Sequence, residues 1–185
     1  AIAGGINLLI TTRTNNEYRA MGMTSTSGLN ATFADNADGY VRGEGYGFIL
    51  LRPLQDAIRD GDTILGVIAS AVTNQDGTTN GITAPNGQSQ ISLIKQSLAQ
   101  AGLVPGELHY NECHGTGTRL VDLIELRALD SIFGGSGRLA IGSIKANIGH
   151  LEVAAGIAGV AKALIMLRTR EVPPHPWASN RTTRF

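Results

Sequence analysis

The sequence predicts an α/β fold with parallel strand pairing, on three observations. Short apolar runs such as "AIAGGINLLI" and "RLAIG" alternate with segments of helical periodicity, glycine-containing loops follow the strands, and Ser89 to Gly102 spaces its apolar residues by three and four. With 185 residues, 42% of them hydrophobic and 16% charged, the chain can build a substantial core. Lys plus Arg number 15 and so do Asp plus Glu. No basic cluster marks a nucleic-acid or anionic-membrane surface, so small molecules or other proteins are the expected partners.

The elements follow in order. Ala1 to Ile10 is short and apolar, as expected of a fully buried strand of a parallel sheet. Thr24 to Gly47 is rich in Ser, Thr, Asn, Asp and Gly and predicts a long loop, a feature that is usually functional inside a compact domain. "YGFILLRPL" reads as a strand closed by Pro53, and the β-branched "TILGVIASAVTNQDG" as another. "GTTNGITAPNGQSQ" is a second polar loop. Ile91, Ile94, Leu98 and Ala101 form the apolar stripe of a helix that stops at Gly102.

The second half repeats a strand, loop, helix rhythm. "ELHYNECHGTGT" gives a strand and a Gly/Thr loop, and "LVDLIELRALDSIF" a helix with Leu123, Leu126 and Leu129 facing inward. "RLAIGSIKANIGH" gives strand then loop. "LEVAAGIAGVAKALIML" gives a helix apolar nearly all round; Glu152 and Lys162 interrupt it and it is short for a membrane span, so burial between two sheets is expected. "EVPPHPW" is an extended exit. The first residue is not Met and "NRTTRF" closes no element, so the chain reads as an internal piece of something longer. Cys113 is the single cysteine and cannot form an internal disulfide; with no signal segment, a reducing, cytoplasmic setting is expected, an organelle remaining open.

His114 and His150 each sit on a glycine-containing loop after a strand. In parallel sheets the ligand crevice lies outside the strands' carboxyl ends, so the two can converge. Alternation along an extended backbone sends Cys113 to the face opposite His114, into the core, where a free cysteine packs as a small hydrophobe. It also separates His109 from His114, and with no second cysteine a zinc site is not expected. "GEGYG" precedes an apolar strand and is no dinucleotide fingerprint. Lys145, in flanks that read as buried, needs a carboxylate or an anionic ligand, and Glu125 is a candidate partner.

"ECHGTGTRLVDLIELRAL" and "IGSIKANIGHLEVAAGIAGVAKALIML" resemble the two histidine motifs of the β-ketoacyl synthase family, nearest to ketosynthase domains of type I polyketide synthases. "FADNADGYVRGEGYGFILLRPLQDAIRDGDTI", "NGITAPNGQSQ" and "EVPPHP" resemble further segments in the same order. The resemblance implies a thiolase-like fold of αβαβα layers, here partial. It would be one partial domain over 1–185, with the end of an N-terminal half at about 1–70 and most of a C-terminal half at about 71–185. It also implies decarboxylative Claisen condensation between a cysteine-bound acyl chain and a malonyl unit on acyl carrier protein, in a homodimer. Matching residues carry over as follows: His114, His150 and Lys145 as catalytic, Glu125 and Asn147 as supporting, and Thr116 and Thr118 as contacts of the phosphopantetheine arm. No cofactor is bound directly and no metal is implied. The family's Asp-Thr-Ala-Cys-Ser-Ser nucleophile motif is absent from this sequence and is expected upstream of Ala1, so these residues alone should be inactive.

One segment departs from the family pattern. Where Pro-Leu-Gly-Asp-Pro-Ile-Glu is usual, the chain has Arg119-Leu120-Val121-Asp122-Leu123-Ile124-Glu125, which should alter the turn that starts the helix. Other readings stay open: a condensing domain of a fatty acid synthase, a non-condensing relative that gates transfer or sets chain length, and a small hydrolase using Cys113 and His114.

Overall fold

A computed structural model describes residues 1–79, 81, 85–135 and 139–177; parts of "NGITAP" and all of "NRTTRF" lie outside them. Strands are β1 (Ile2–Asn7), β2 (Gly45–Leu50), β3 (Tyr110–Glu112) and β4 (Ala140–Gly142). Helices are α1 (Thr12–Ala20), α2 (Leu54–Arg59), α3 (Gly87–Ala101), α4 (Arg119–Phe133), α5 (Lys145–Ile148) and α6 (Ala155–Thr169).

The expected parallel pairing occurs in β3–β4, from Tyr110↔Ala140 to Glu112↔Gly142. β1 departs from expectation in two ways: it pairs antiparallel with β2, Ile2 opposite Leu50 and Asn7 opposite Gly45, and it is largely exposed. The register accounts for the exposure. Ile2 and Ile6 share a face with Leu50, Phe48 and Tyr46, and that face is uncovered, with Ile2 at 74% and Leu50 at 80% exposure. The other face is lined by glycines that let the chain before and within α6 close in: a Cβ on Gly5 would lie 2.4 Å from Val153 O, and one on Gly47 3.1 Å from Ile157.

α6 touches both sheets as expected, Ile157 meeting Gly47 of β2 and Gly159 meeting the Glu112 side chain of β3. Its burial falls short of expectation, because no α6 residue is buried and Ile165 and Leu167 stay exposed. "TILGVIASAVTNQDG" forms no strand among the described residues. β-branched composition favours a pleated surface, but a strand exists only where a partner supplies the ladder. Three short helices gave no sequence signal: α1 is polar with no buried residue, α2 follows Pro53 within one turn, and α5 is four residues long.

The core lies between α3, α4 and the β3–β4 pair, where Phe33, Leu98, Cys113, Leu126, Leu129 and Phe133 cluster. α3 begins four residues before its apolar stripe because Asn86 accepts from the N–H groups of Gln88 and Ser89, and it ends at Gly102 with φ +68°. Of the three leucines expected to face inward on α4, Leu126 and Leu129 are buried and Leu123 is half-buried. No helix among the described residues is long and apolar enough to cross a membrane.

Candidate active site

Strand β3 delivers the first loop of the site. Cys113 N–H extends the ladder by donating to Gly142 O (2.8 Å), and its side chain is 4% exposed, inside the core. Burial, reinforced by Glu125, pushes its thiol up to about 12. A thiol so protonated and enclosed is a packing residue. Iodoacetamide at neutral pH is expected to leave Cys113 unmodified in the folded protein and to label it after denaturation; rapid native labelling, mapped by peptide mass, would refute this.

His114 points out on the opposite side. The turn behind it needs glycine: Gly115 has φ +45°, and a Cβ there would fall 2.6 Å from Thr32 Cγ2 and 2.8 Å from Ser143 Cβ. Helix α4 grips this turn with two acids one turn apart. Glu125 accepts from His114 N–H (2.7 Å) and Gly115 N–H (2.8 Å). Asp122 accepts from Gly117 N–H (3.2 Å) and from Phe33 N–H (2.8 Å), joining the turn to the 24–44 loop. That long loop is deeply packed: Thr32 is fully enclosed and donates to Gly115 O, and Asn30 donates to Thr116 O.

The second arm follows β4. Lys145 opens α5, buried at 5% exposure, and Gly149 at φ +76° turns the chain into His150. Burial lowers the Lys145 pKa, while the field of Glu125 and then Glu112 favours its charge. The expected Lys145–Glu125 relation therefore acts through space, Glu125 being hydrogen-bonded to the loop backbone. Glu112 ties the arms together: Oε1 accepts from Ile144 N–H (2.5 Å), just before Lys145, and Oε2 pairs with Lys162 Nζ (2.8 Å) and accepts from Tyr110 OH (2.5 Å).

The histidines converge. Their ring centroids are 5.5 Å apart, edge to face at 85°. Each pKa is pushed down to about 4, first by burial and then by the nearby Lys145 charge, even though an edge of His114 stays exposed to the cleft. Both rings are thus neutral at pH 7. His150 Nδ1 accepts from Glu152 N–H (2.9 Å), which places its proton on Nε2. A cavity of about 430 Å³ borders His114, Glu112, Glu125 and Asn111. The arrangement offers neutral N–H donors in a partly desolvated cleft beside a buried cation, suited to stabilising a developing oxyanion.

The other expected site residues are placed less uniformly. Thr116 is buried, and its Oγ1 finds no partner among the described residues. Thr118 is the half-buried residue before α4 and makes no side-chain cap. Asn147 is exposed, and His109 is exposed ahead of β3, away from the histidine pair. Among the described residues no group of three His, Cys, Asp or Glu is arranged to hold a metal. At the departing segment α4 starts directly at Arg119, whose Nε donates to Ala37 O (3.0 Å). Asp122 and Glu125 keep their grip without the prolines. Sequence reasoning missed Asp122's clamp, the Glu112 network and Arg42; only the length of the 24–47 loop hinted at the first.

Comparison with known proteins agrees with this geometry. Residues 1–57 match the family model "Beta-ketoacyl synthase, N-terminal domain" and 65–177 the corresponding C-terminal domain. The chain is 47% identical over 176 residues to the non-reducing polyketide synthase mapC of Penicillium roqueforti, covering 94% of this chain and 7% of that protein. It is 44% identical over 178 residues to a phenolphthiocerol/phthiocerol polyketide synthase of Mycobacterium tuberculosis, covering 95% of this chain and 8% of that one. Among solved structures, the ketosynthase from module 6 of the Bacillus subtilis bacillaene synthase matches at TM-score 0.93 and 41% identity, over 99% of this chain and 33% of that one. The oxazolomycin ketosynthase domain of Streptomyces albus matches at TM-score 0.95 and 38% identity, over 99% and 32%. The chain thus spans under a tenth of these synthases and about a third of the ketosynthase structures. Its fold is the thiolase-like arrangement of those neighbours.

Proposed function

Because this chain belongs to the β-ketoacyl synthase family, we propose that it is part of a polyketide-synthase ketosynthase performing decarboxylative Claisen condensation. The observation that carries this reading is the convergence of two neutral imidazoles, one with its proton fixed on Nε2, beside buried Lys145. A malonyl thioester on acyl carrier protein binds with its thioester oxygen toward His114 and His150. The bond from the α-carbon to the carboxylate breaks, carbon dioxide leaves, and the electron pair forms an enolate whose oxygen accepts the imidazole N–H groups. The α-carbon then attacks an acyl thioester on a cysteine outside residues 1–185, forming the carbon–carbon bond and releasing the thiolate.

Lys145 adds to the effect of burial in keeping the imidazoles neutral and supplies positive potential where the enolate charge develops. Glu125 fixes the His114 loop, and Asn147 supports the second arm. Thr116 and Thr118 hold the phosphopantetheine arm. The acting enzyme is a homodimer, cytoplasmic, served by an acyl carrier protein domain, and residues 1–185 alone do not condense. The test supplies the parent enzyme with an acyl thioester and 13C-malonyl carrier protein. A labelled β-ketoacyl product with matching carbon dioxide release is expected; hydrolysis of either thioester without a new carbon–carbon bond would overturn the reading.

A further inference from the structure

The backbone on both sides of His150 is fastened to the 41–43 segment at the end of the long loop. His150 N–H donates to Val41 O (2.7 Å) and Gly43 N–H donates to His150 O (2.9 Å). The Arg42 side chain, 10% exposed, turns the other way, toward Glu152, 21% exposed. Its Nε donates to Glu152 Oε1 (2.6 Å) and its Nη2 to Oε2 (2.9 Å), a two-pronged pairing that fixes orientation as well as charge. Helix α1 braces the guanidinium: Asn15 Oδ1 accepts from Nη1, and the Tyr18 ring lies 5.1 Å from the guanidinium carbon. α1 has no buried residue, and this contact ties the polar helix to Arg42.

Glu152 has φ +46°, a left-handed conformation that residues with a Cβ adopt at a cost. In that conformation its N–H meets His150 Nδ1 at 2.9 Å. Such a backbone persists only where its surroundings over-determine it, and the Arg42 fork is what grips this residue.

We propose that Arg42 and Glu152 are positioning residues: their ion pair holds residue 152 left-handed, so that its N–H occupies His150 Nδ1 and keeps the His150 proton on Nε2, facing the cleft. Neither side chain touches the reacting atoms. The proposal rests on reading His150 as a donor to the enolate.

The test measures malonyl carbon dioxide release and the 15N shifts of His150 in the parent enzyme, with the signal assigned by its loss in His150→Ala. Arg42→Met is expected to slow release about tenfold and to replace the Nε2–H signature with a mixture of tautomers. Glycine takes a positive φ unaided, so Arg42→Met/Glu152→Gly should recover most of the rate and the pure signature. Arg42→Met/Glu152→Ala removes the same carboxylate but not the strain, and should stay slow. Thermal melts check folding, and Arg42→Lys, which keeps the charge without the fork, should show the same change in smaller degree if Arg42→Met does not fold. Wild-type rate and signature in both Arg42 variants, or equal rescue by alanine and glycine, would overturn the proposal. If the wild-type enzyme releases no carbon dioxide while the His150 signature still follows this pattern, the condensing function fails and the positioning role stands.

Discussion

Replacing His150 by alanine is expected to slow malonyl decarboxylation by about 10²–10³-fold while leaving transfer of the acyl chain to the nucleophile intact, because the donor acts on an oxyanion that develops only as carbon dioxide departs. The two rings lie 5.5 Å apart at near right angles, close enough to address one oxygen from two directions. His114→Ala should lose a similar factor. The double variant should lose less than the product of the two, since the residues act as a unit. The check is carbon dioxide release under single turnover, with acyl loading followed separately by mass. Unchanged release in His150→Ala would sink the assigned role.

Asp122→Ala is expected to cost about 2–5 kcal/mol of stability, because it leaves buried backbone donors at Phe33 and Gly117 without partners and frees the loop that carries His114. Asp122→Asn keeps one acceptor oxygen and should cost less. Burial raises the Asp122 pKa to about 6. The folded state therefore binds a proton that the unfolded chain has already lost between about pH 4 and 6, and this group's contribution declines as pH rises through that window. The two histidines, lowered to about 4, act oppositely: the unfolded chain binds more protons below about pH 6.5, so their contribution is lost as pH falls. Urea midpoints across this range should thus rise more steeply with pH in Asp122→Ala than in the wild type. An identical slope would show that Asp122 does not titrate as described.

The parts legible in the sequence were those encoded locally. The apolar spacing of α3, the capped stop at Gly102 and the one-face alternation that buries Cys113 and exposes His114 all follow from the period of a helix or a strand. The convergence of His114 and His150 followed from a topological rule. What stayed hidden depends on partners distant in the chain. Residues 63–77 carry strand composition without a ladder partner among the described residues, and β1 needs the register with β2 to show which of its faces is covered. Glu112, Arg42 and Glu152 look like ordinary surface charges until contacts 32 and 110 positions away bury them. The polar helix α1 has no apolar stripe to mark it, and its contact with the Arg42 guanidinium through Asn15 and Tyr18 shows only in three dimensions.

Central to the proposed function is that the histidine pair acts as neutral donors to an enolate, with the nucleophile supplied by a different cysteine than Cys113. The most direct measurement is carbon dioxide release from malonyl carrier protein by parent enzyme whose reactive cysteine has been alkylated under native conditions. The predicted result is that release continues, that Cys113 is recovered unmodified, and that release disappears when His114 and His150 are both alanine. Release that stops on alkylation of Cys113, or that survives loss of both histidines, would contradict it.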